Sequence, residues 1–176
     1  MKTRNGWSWV VLLGAELACG YMGAGAQTPS AMPQVSTAAV DSLTADEIGA
    51  KEKILLSQAI AAPGGTAGMT LAKYSGHFTM LTVRVKSGGA ELHKKNNDIF
   101  VAVDGEATVI TGGTLVDPQN SSADEIVGTR LEGGIAHVMH KGDIIHIPVN
   151  TPHQTVVAPG KTFTYYVVKV VEPAPR

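Results

Sequence analysis

From Phe78 onward the apolar residues of this chain recur at every second position, in short runs that end at glycine, proline, asparagine or aspartate. A side-chain period of two belongs to a strand with one face turned to a core. Strands are expected at 77–86 (HFTMLTVRVK), 99–103 (IFVAV), 106–111 (EATVIT), 135–140, 143–148 (DIIHIP) and 162–171 (TFTYYVVKVV), all rich in Val, Ile, Thr and aromatic residues. Asp104-Gly105 reads as a hairpin turn between two of them. Many short strands without alternating helices predict an all-β sandwich or small antiparallel barrel rather than a βαβ fold. The stretch 112–134 reads as loop, long enough to form a rim or lid over a site.

Upstream the pattern is different. Thr44-Ala45-Asp46-Glu47 has the spacing of a capping box, in which the threonine hydroxyl accepts from the amide three residues on and the glutamate reaches back. Ile48, Ile54, Leu55 and Ile60 form a partial apolar stripe, so a helix is expected over about 45–60, packed against the strands. Pro63-Gly64-Gly65 ends it. Residues 27–43 are small, polar and proline-bearing, which suits a leader, and 27–73 as a whole precedes the expected barrel at 74–172.

Residues 1–26 read as a cleavable signal peptide. Lys2 and Arg4 give a basic start, Trp7 to Ala15 is largely apolar, and Ala24-Gly25-Ala26 is an A-x-A cleavage signal. The apolar run is short for a membrane span and Glu16 interrupts it, so no stable span is expected; an uncleaved anchor is the alternative. Glu16-Leu17-Ala18 is a poor match to the residues that precede a lipidated cysteine, so Cys19, the single cysteine, leaves with the signal. The expected location is periplasmic or secreted, and the mature chain uses no disulfide. Cleavage removes two positive charges and one negative, taking the net charge from −1 to −2. That balance gives no electrostatic reason to expect nucleic acid or an anionic membrane as partner.

The residues able to do chemistry flank the long loop. One segment reads Glu91-Leu92-His93-Lys94-Lys95-Asn96-Asn97-Asp98, and the other runs from Gly142-Asp143 to Pro148-Val149-Asn150-Thr151-Pro152-His153. His93 and His153 offer imidazoles, and Asp98 and Glu91 offer carboxylates, a mixture that borderline divalent metals accept. An inward Asp98 would share its face with Phe100 and Ala102, where a carboxylate is costly unless paired or bound to a cation. His77, His137, His140 and His146 read as hydrogen-bonded or surface residues, with His137 or His146 the better placed to support a site or touch a ligand. Lys94 and Lys95 read as solvated rim residues. No nucleophile elbow, phosphate loop, Cys-x-x-Cys or dinucleotide fingerprint is present.

The two segments resemble the paired motifs of the cupin superfamily, G-x5-H-x-H-x3-4-E-x6-G and G-x5-P-x-G-x2-H-x3-N. His93 stands at the second histidine of the first motif, Asp98 at the glutamate and Gly105 at the closing glycine; Gly142, Pro148 and His153 meet the second. Glu91 stands at the first histidine, Val85 at the opening glycine, Asn150 at the middle glycine and Val157 at the final asparagine. The resemblance covers roughly 74–172 and implies a cupin-type antiparallel β-barrel, a double-stranded jelly roll of the small conserved-barrel kind, with an N-terminal helix.

It also implies a metal site of His93, Asp98 and His153, with Glu91 as a weaker fourth ligand or a supporting partner. Iron, manganese, zinc and nickel all suit such a set. The alternative is a metal-free site, if the shorter Asp98 does not reach. Two functions follow as expectations. One is a metal-dependent enzyme acting on a small oxygen-bearing molecule, by dioxygenase-, isomerase- or lyase-like chemistry with oxidoreductase chemistry foremost. The other is a non-catalytic module that binds or senses a small ligand. The strand 99–103 is apolar on both faces, so Ile99, Val101 and Val103 are expected to lie under the helix or against a second subunit in a homodimer.

Overall fold

Thr44 opens the first element as its spacing requires. In a computed structural model that describes residues 40–173, its hydroxyl accepts from the Glu47 amide at 3.3 Å and the Glu47 carboxylate accepts from the Thr44 amide at 2.7 Å. The segment 1–26 and leader residues 27–39, on which the export expectation rests, lie outside the described residues. Helix α1 runs Ala45–Ala61. Leu55 and Ala59 are fully buried, but Ile54 and Ile60 point outward, so the stripe is narrower than the sequence suggests. Among the described residues no helix is long and apolar enough to cross a membrane.

Twelve strands follow: β1 (Thr66–Lys73), β2 (His77–Arg84), β3 (Ala90–His93), β4 (Asn96–Thr111), β5 (Thr114–Val116), β6 (Gln119–Asn120), β7 (Glu125–Gly128), β8 (Arg130–Glu132), β9 (Ile135–His140), β10 (Ile144–Ile147), β11 (His153–Val156) and β12 (Phe163–Val171). All their pairings are antiparallel, and the result is a jelly-roll barrel. One wall is ordered β1-β2-β12 and the first half of β4, with β10 also on β4. The other wall carries β6-β7-β3-β11 and the second half of β4, with β9. β1 adds an edge strand upstream of the expected start at 74, paired to β2 from Thr66 opposite Arg84.

β4 belongs to both walls, which corrects the hairpin expected at Asp104-Gly105. The buried side chains are Asp98, Phe100 and Ala102 in its first half and Ala107 and Val109 in its second. That change of parity needs one extra residue. Opposite it, Thr164 pairs with Asp104 but Tyr165 with Ala102, so Val103 is the bulged residue and the strand bends instead of reversing. Gly105 sits at φ +75°, where a Cβ would collide with the Thr162 carbonyl oxygen. Gly105→Ala is therefore expected to destabilise the fold by about 2 kcal/mol or more, read as a lower denaturant midpoint at unchanged slope.

The expected loop 112–134 is also more ordered than its composition implies. Gly112 and Gly113, both at positive φ, lead into β5, which pairs with β8, while β6 and β7 extend the second wall. The bends of a small barrel rim need glycine and polar residues, so the sequence there reads as irregular.

Two packed clusters hold the fold. Inside the barrel are Phe100, Ala102, Val109, Met139, Ile147, Phe163, Tyr165 and Val167, among others. Outside, Leu55 and Ala59 of α1 pack on Leu81 and Val83, with Val103 and Tyr166 beside them. Burying a side chain such as Leu55 contributes roughly 1.5–3 kcal/mol. The helix thus lies against the face that carries Val103. Ile99, Val101 and Val103 are all half-buried.

Candidate metal centre

β11 pairs directly with both β3 and β4, so His153 lies opposite Glu91 on one side and Thr111 on the other. The chain reaches β11 through the turn at Pro148-Val149-Asn150. Asn150 adopts φ +59°, a left-handed conformation that asparagine tolerates better than most residues, and its amide donates to the His93 carbonyl at 2.8 Å. Asparagine can therefore stand where the cupin motif has glycine.

Four sequence-predicted side chains meet inside the barrel. Glu91, His93 and His153 each place a ligand atom within 4.8 Å of the others, and together they can hold a metal ion. Asp98 joins them, its Oδ2 3.3 Å from His93 Nε2 and 3.7 Å from His153 Nε2. His93, Asp98 and His153 are buried and Glu91 is half-buried. Phe100 stands edge-on to His153.

Both imidazoles turn Nε2 toward Asp98. His153 Nδ1 lies 3.0 Å from the Thr151 carbonyl oxygen, which can only accept, so this nitrogen carries the ring proton. Its Nε2 is then a lone pair aimed at the cluster, buried and without a hydrogen-bond partner. Glu91 Oε1 stands 3.5 Å from it, at ion-pair distance. His93 Nδ1 faces Glu125 Oε1 at 3.4 Å, and its Nε2 accepts from the Lys169 ammonium at 2.8 Å. A histidine whose Nδ1–H is engaged by a carbonyl or carboxylate, with Nε2 free to donate electrons, is the arrangement metal sites use.

Solved structures are similar to this chain over part of its length. The polyketide cyclase RemF from Streptomyces resistomycificus is 18% identical, with a TM-score of 0.44, covering 62% of this chain and 68% of that one. A cupin 2 conserved barrel domain protein from Salinispora arenicola is 18% identical, with a TM-score of 0.43, covering 61% of this chain and 76% of that one. The DMSP lyase DddQ from Ruegeria pomeroyi is 14% identical, with a TM-score of 0.45, covering 63% and 49%. No family model matches the chain, and no curated protein does.

Lys169, which the sequence alone does not single out, lies directly across from Asp98 in the β12–β4 ladder. Its ammonium donates to both Asp98 oxygens, at 2.8 and 2.7 Å. Asp98 is 1% exposed and Lys169 16%, so this is a buried ion pair inside the cluster. Asp98 is therefore already neutralised, whereas the Glu91 carboxylate has only the histidines beside it at ion-pair distance. Neither His137 nor His146 supports the site. His137 bonds the Thr111 hydroxyl at 3.0 Å, and His146 is exposed because the inward positions on its strand go to Ile145 and Ile147. Lys94 and Lys95 are exposed, and Lys95 pairs with Asp124.

The charges are mutually adjusted. Burial works against the Glu91 charge, but His153, then His93 and Lys169, pull its pKa from 4.5 to about 2. Burial likewise opposes charge on Asp98, yet His93 and Lys169 hold its carboxyl below the ordinary value. For His153 burial disfavours the cation, and the Glu91 carboxylate outweighs it and raises the pKa. A lowered carboxyl stabilises the fold above its unfolded pKa, and that contribution is lost as pH falls through the folded value. A raised histidine stabilises below its unfolded pKa of 6.5, and its contribution fades as pH rises through the folded value. The metal-free cluster is thus expected to stabilise most between about pH 4.5 and 6.5. Urea midpoints of metal-free protein should fall on both sides of that window. Added divalent metal should lift the alkaline side, since it takes the neutral imidazole.

Proposed function

We propose that this chain is an exported cupin that binds one divalent metal through Glu91, His93 and His153, with Asp98 beside them, and acts on a small oxygen-bearing molecule. The observation that carries this reading is the orphaned, buried Nε2 of His153, facing a second imidazole nitrogen and two carboxylates. An unpartnered buried polar atom costs about 1–3 kcal/mol, and a metal ion removes that cost. The donor set of nitrogen and oxygen fits iron, manganese, zinc or nickel, and a bound ion would supply Lewis acidity or dioxygen chemistry.

The chain's own groups prepare the site. The Thr151 carbonyl holds the His153 ring proton on Nδ1, and Glu125 stands at ion-pair distance from His93 Nδ1. The Lys169 ammonium balances the Asp98 charge, and its hydrogen bond to His93 Nε2 would have to be given up for that nitrogen to hold a metal. Phe100, Tyr165 and Val167 give the cavity an apolar wall that limits water. Elemental analysis of protein purified without an affinity tag tests the reading, and a cavity with a bound organic molecule but no metal would refute it. Export and pairing into homodimers belong to the same proposal. Amino-terminal sequencing of the periplasmic form and light scattering test them.

The second reading, a metal-free ligand-binding module, is favoured by one observation. Lys169 already places a cation against His93 and Asp98, as a site that needs no metal would.

A further inference from the structure

The cavity that holds the cluster continues along the barrel to a second cation. About 360 Å³ of space is lined by Glu91, His93 and Asp98 at one part of its wall and by Arg84, Tyr165, Thr66 and Thr82 at another. Arg84 reaches it because β2 alternates: Leu81 and Val83 turn to the helix, while Met80, Thr82 and Arg84 turn inward. Its guanidinium is held in place. Nε donates to the Tyr165 hydroxyl at 3.0 Å and Nη1 to the Thr66 hydroxyl at 3.0 Å. The Cα of Gly88 comes so close that a Cβ there would run into the guanidinium.

What the guanidinium lacks is an anion. Among the described residues no carboxylate oxygen lies within ion-pair distance of Arg84. The recorded partners of this half-buried cation are neutral hydroxyls, although its remaining N–H groups suit the two oxygens of a carboxylate. We propose that Arg84, oriented by Tyr165 and Thr66, is the anchor for the carboxylate of a small organic acid. A second oxygen of the same molecule faces the cluster on its Glu91 and His93 side. The inference deepens the proposed small-molecule function and rests on it for the second oxygen. The carboxylate anchor needs no metal.

The test is an NMR-detected titration of pyruvate, glycolate and acetate into metal-free protein, with hydroxyacetone as a probe of similar skeleton and no carboxylate. Wild-type protein should bind the acids saturably. Arg84→Met should weaken that binding at least ~tenfold and leave hydroxyacetone unchanged. Arg84→Lys should retain part of it, since the charge stays but the two-pronged donor is lost. The amide spectrum reports folding in the same sample. If Arg84→Met does not fold, Tyr165→Phe, expected to weaken the acids severalfold, decides. Equal binding by wild type and these variants, or no saturable binding of any acid by wild type, overturns the anchor. Arg84-dependent binding in a protein that takes up no metal sustains it while refuting the metal reading.

Discussion

Lys169→Met destabilises the metal-free barrel by about 3–5 kcal/mol, the usual cost of removing one partner from a buried ion pair. Asp98, 1% exposed, is then left as a charge whose ammonium partner is gone, beside the already anionic Glu91. The lost stability returns in two ways. A divalent cation restores it because Asp98 becomes available and His93 Nε2 is vacated, so metal affinity should rise at least ~tenfold even as the metal-free form weakens. The double variant Lys169→Met/Asp98→Asn, which removes both charges, should recover much of the stability without metal. Urea denaturation with and without zinc measures all three. A Lys169→Met protein as stable as wild type without metal would show that the pair contributes nothing to the fold.

His153→Ala is the second large effect. The ring supplies the nitrogen that has no other partner and is 1% exposed, so no other side chain or surface water can take its place. Metal affinity should fall by more than about a hundredfold, beyond the loss typical of changes in orienting partners. His93→Ala should do the same, with Lys169 left facing the gap. Both variants should keep the barrel, because neither histidine belongs to the apolar clusters that hold the strands. Far-ultraviolet circular dichroism and equilibrium dialysis check the two halves of this expectation. Thr151 contributes only a backbone carbonyl to His153, so Thr151→Ala should leave metal binding unchanged.

The parts legible in the sequence are those set by local chemistry. The capping box at Thr44 and Glu47 needs only three residues of spacing, and the helix begins there. Inward placement of Asp98 with Phe100 and Ala102 follows from the strand period alone. His93 and His153 were findable because the motif spacing ties both to turns that set their direction. Cross-strand register was not legible. Lys169 looks like an ordinary polar residue near the end of a strand until β12 is laid against β4 and the lysine falls opposite Asp98. That pairing is why the proposed ligand set takes Glu91 ahead of Asp98, since it neutralises Asp98 and leaves Glu91 beside the orphaned nitrogen. Arg84 was hidden in the same way within an apolar run. The bend of β4 was misread as a hairpin because Asp-Gly serves both a turn and a bulge, and only the pairing partner distinguishes them. Glu125 lay in a stretch whose composition reads as loop, yet β7 carries it directly across from His93.

Metal content most directly tests whether Glu91, His93 and His153 hold a metal ion. Protein purified without an affinity tag, then reconstituted with iron, manganese, zinc or nickel and dialysed, is analysed for bound metal per chain. One tightly held equivalent is expected in the wild type and almost none in His93→Ala or His153→Ala. A wild-type protein that retains no metal, or a His153→Ala protein that retains all of it, would contradict the account.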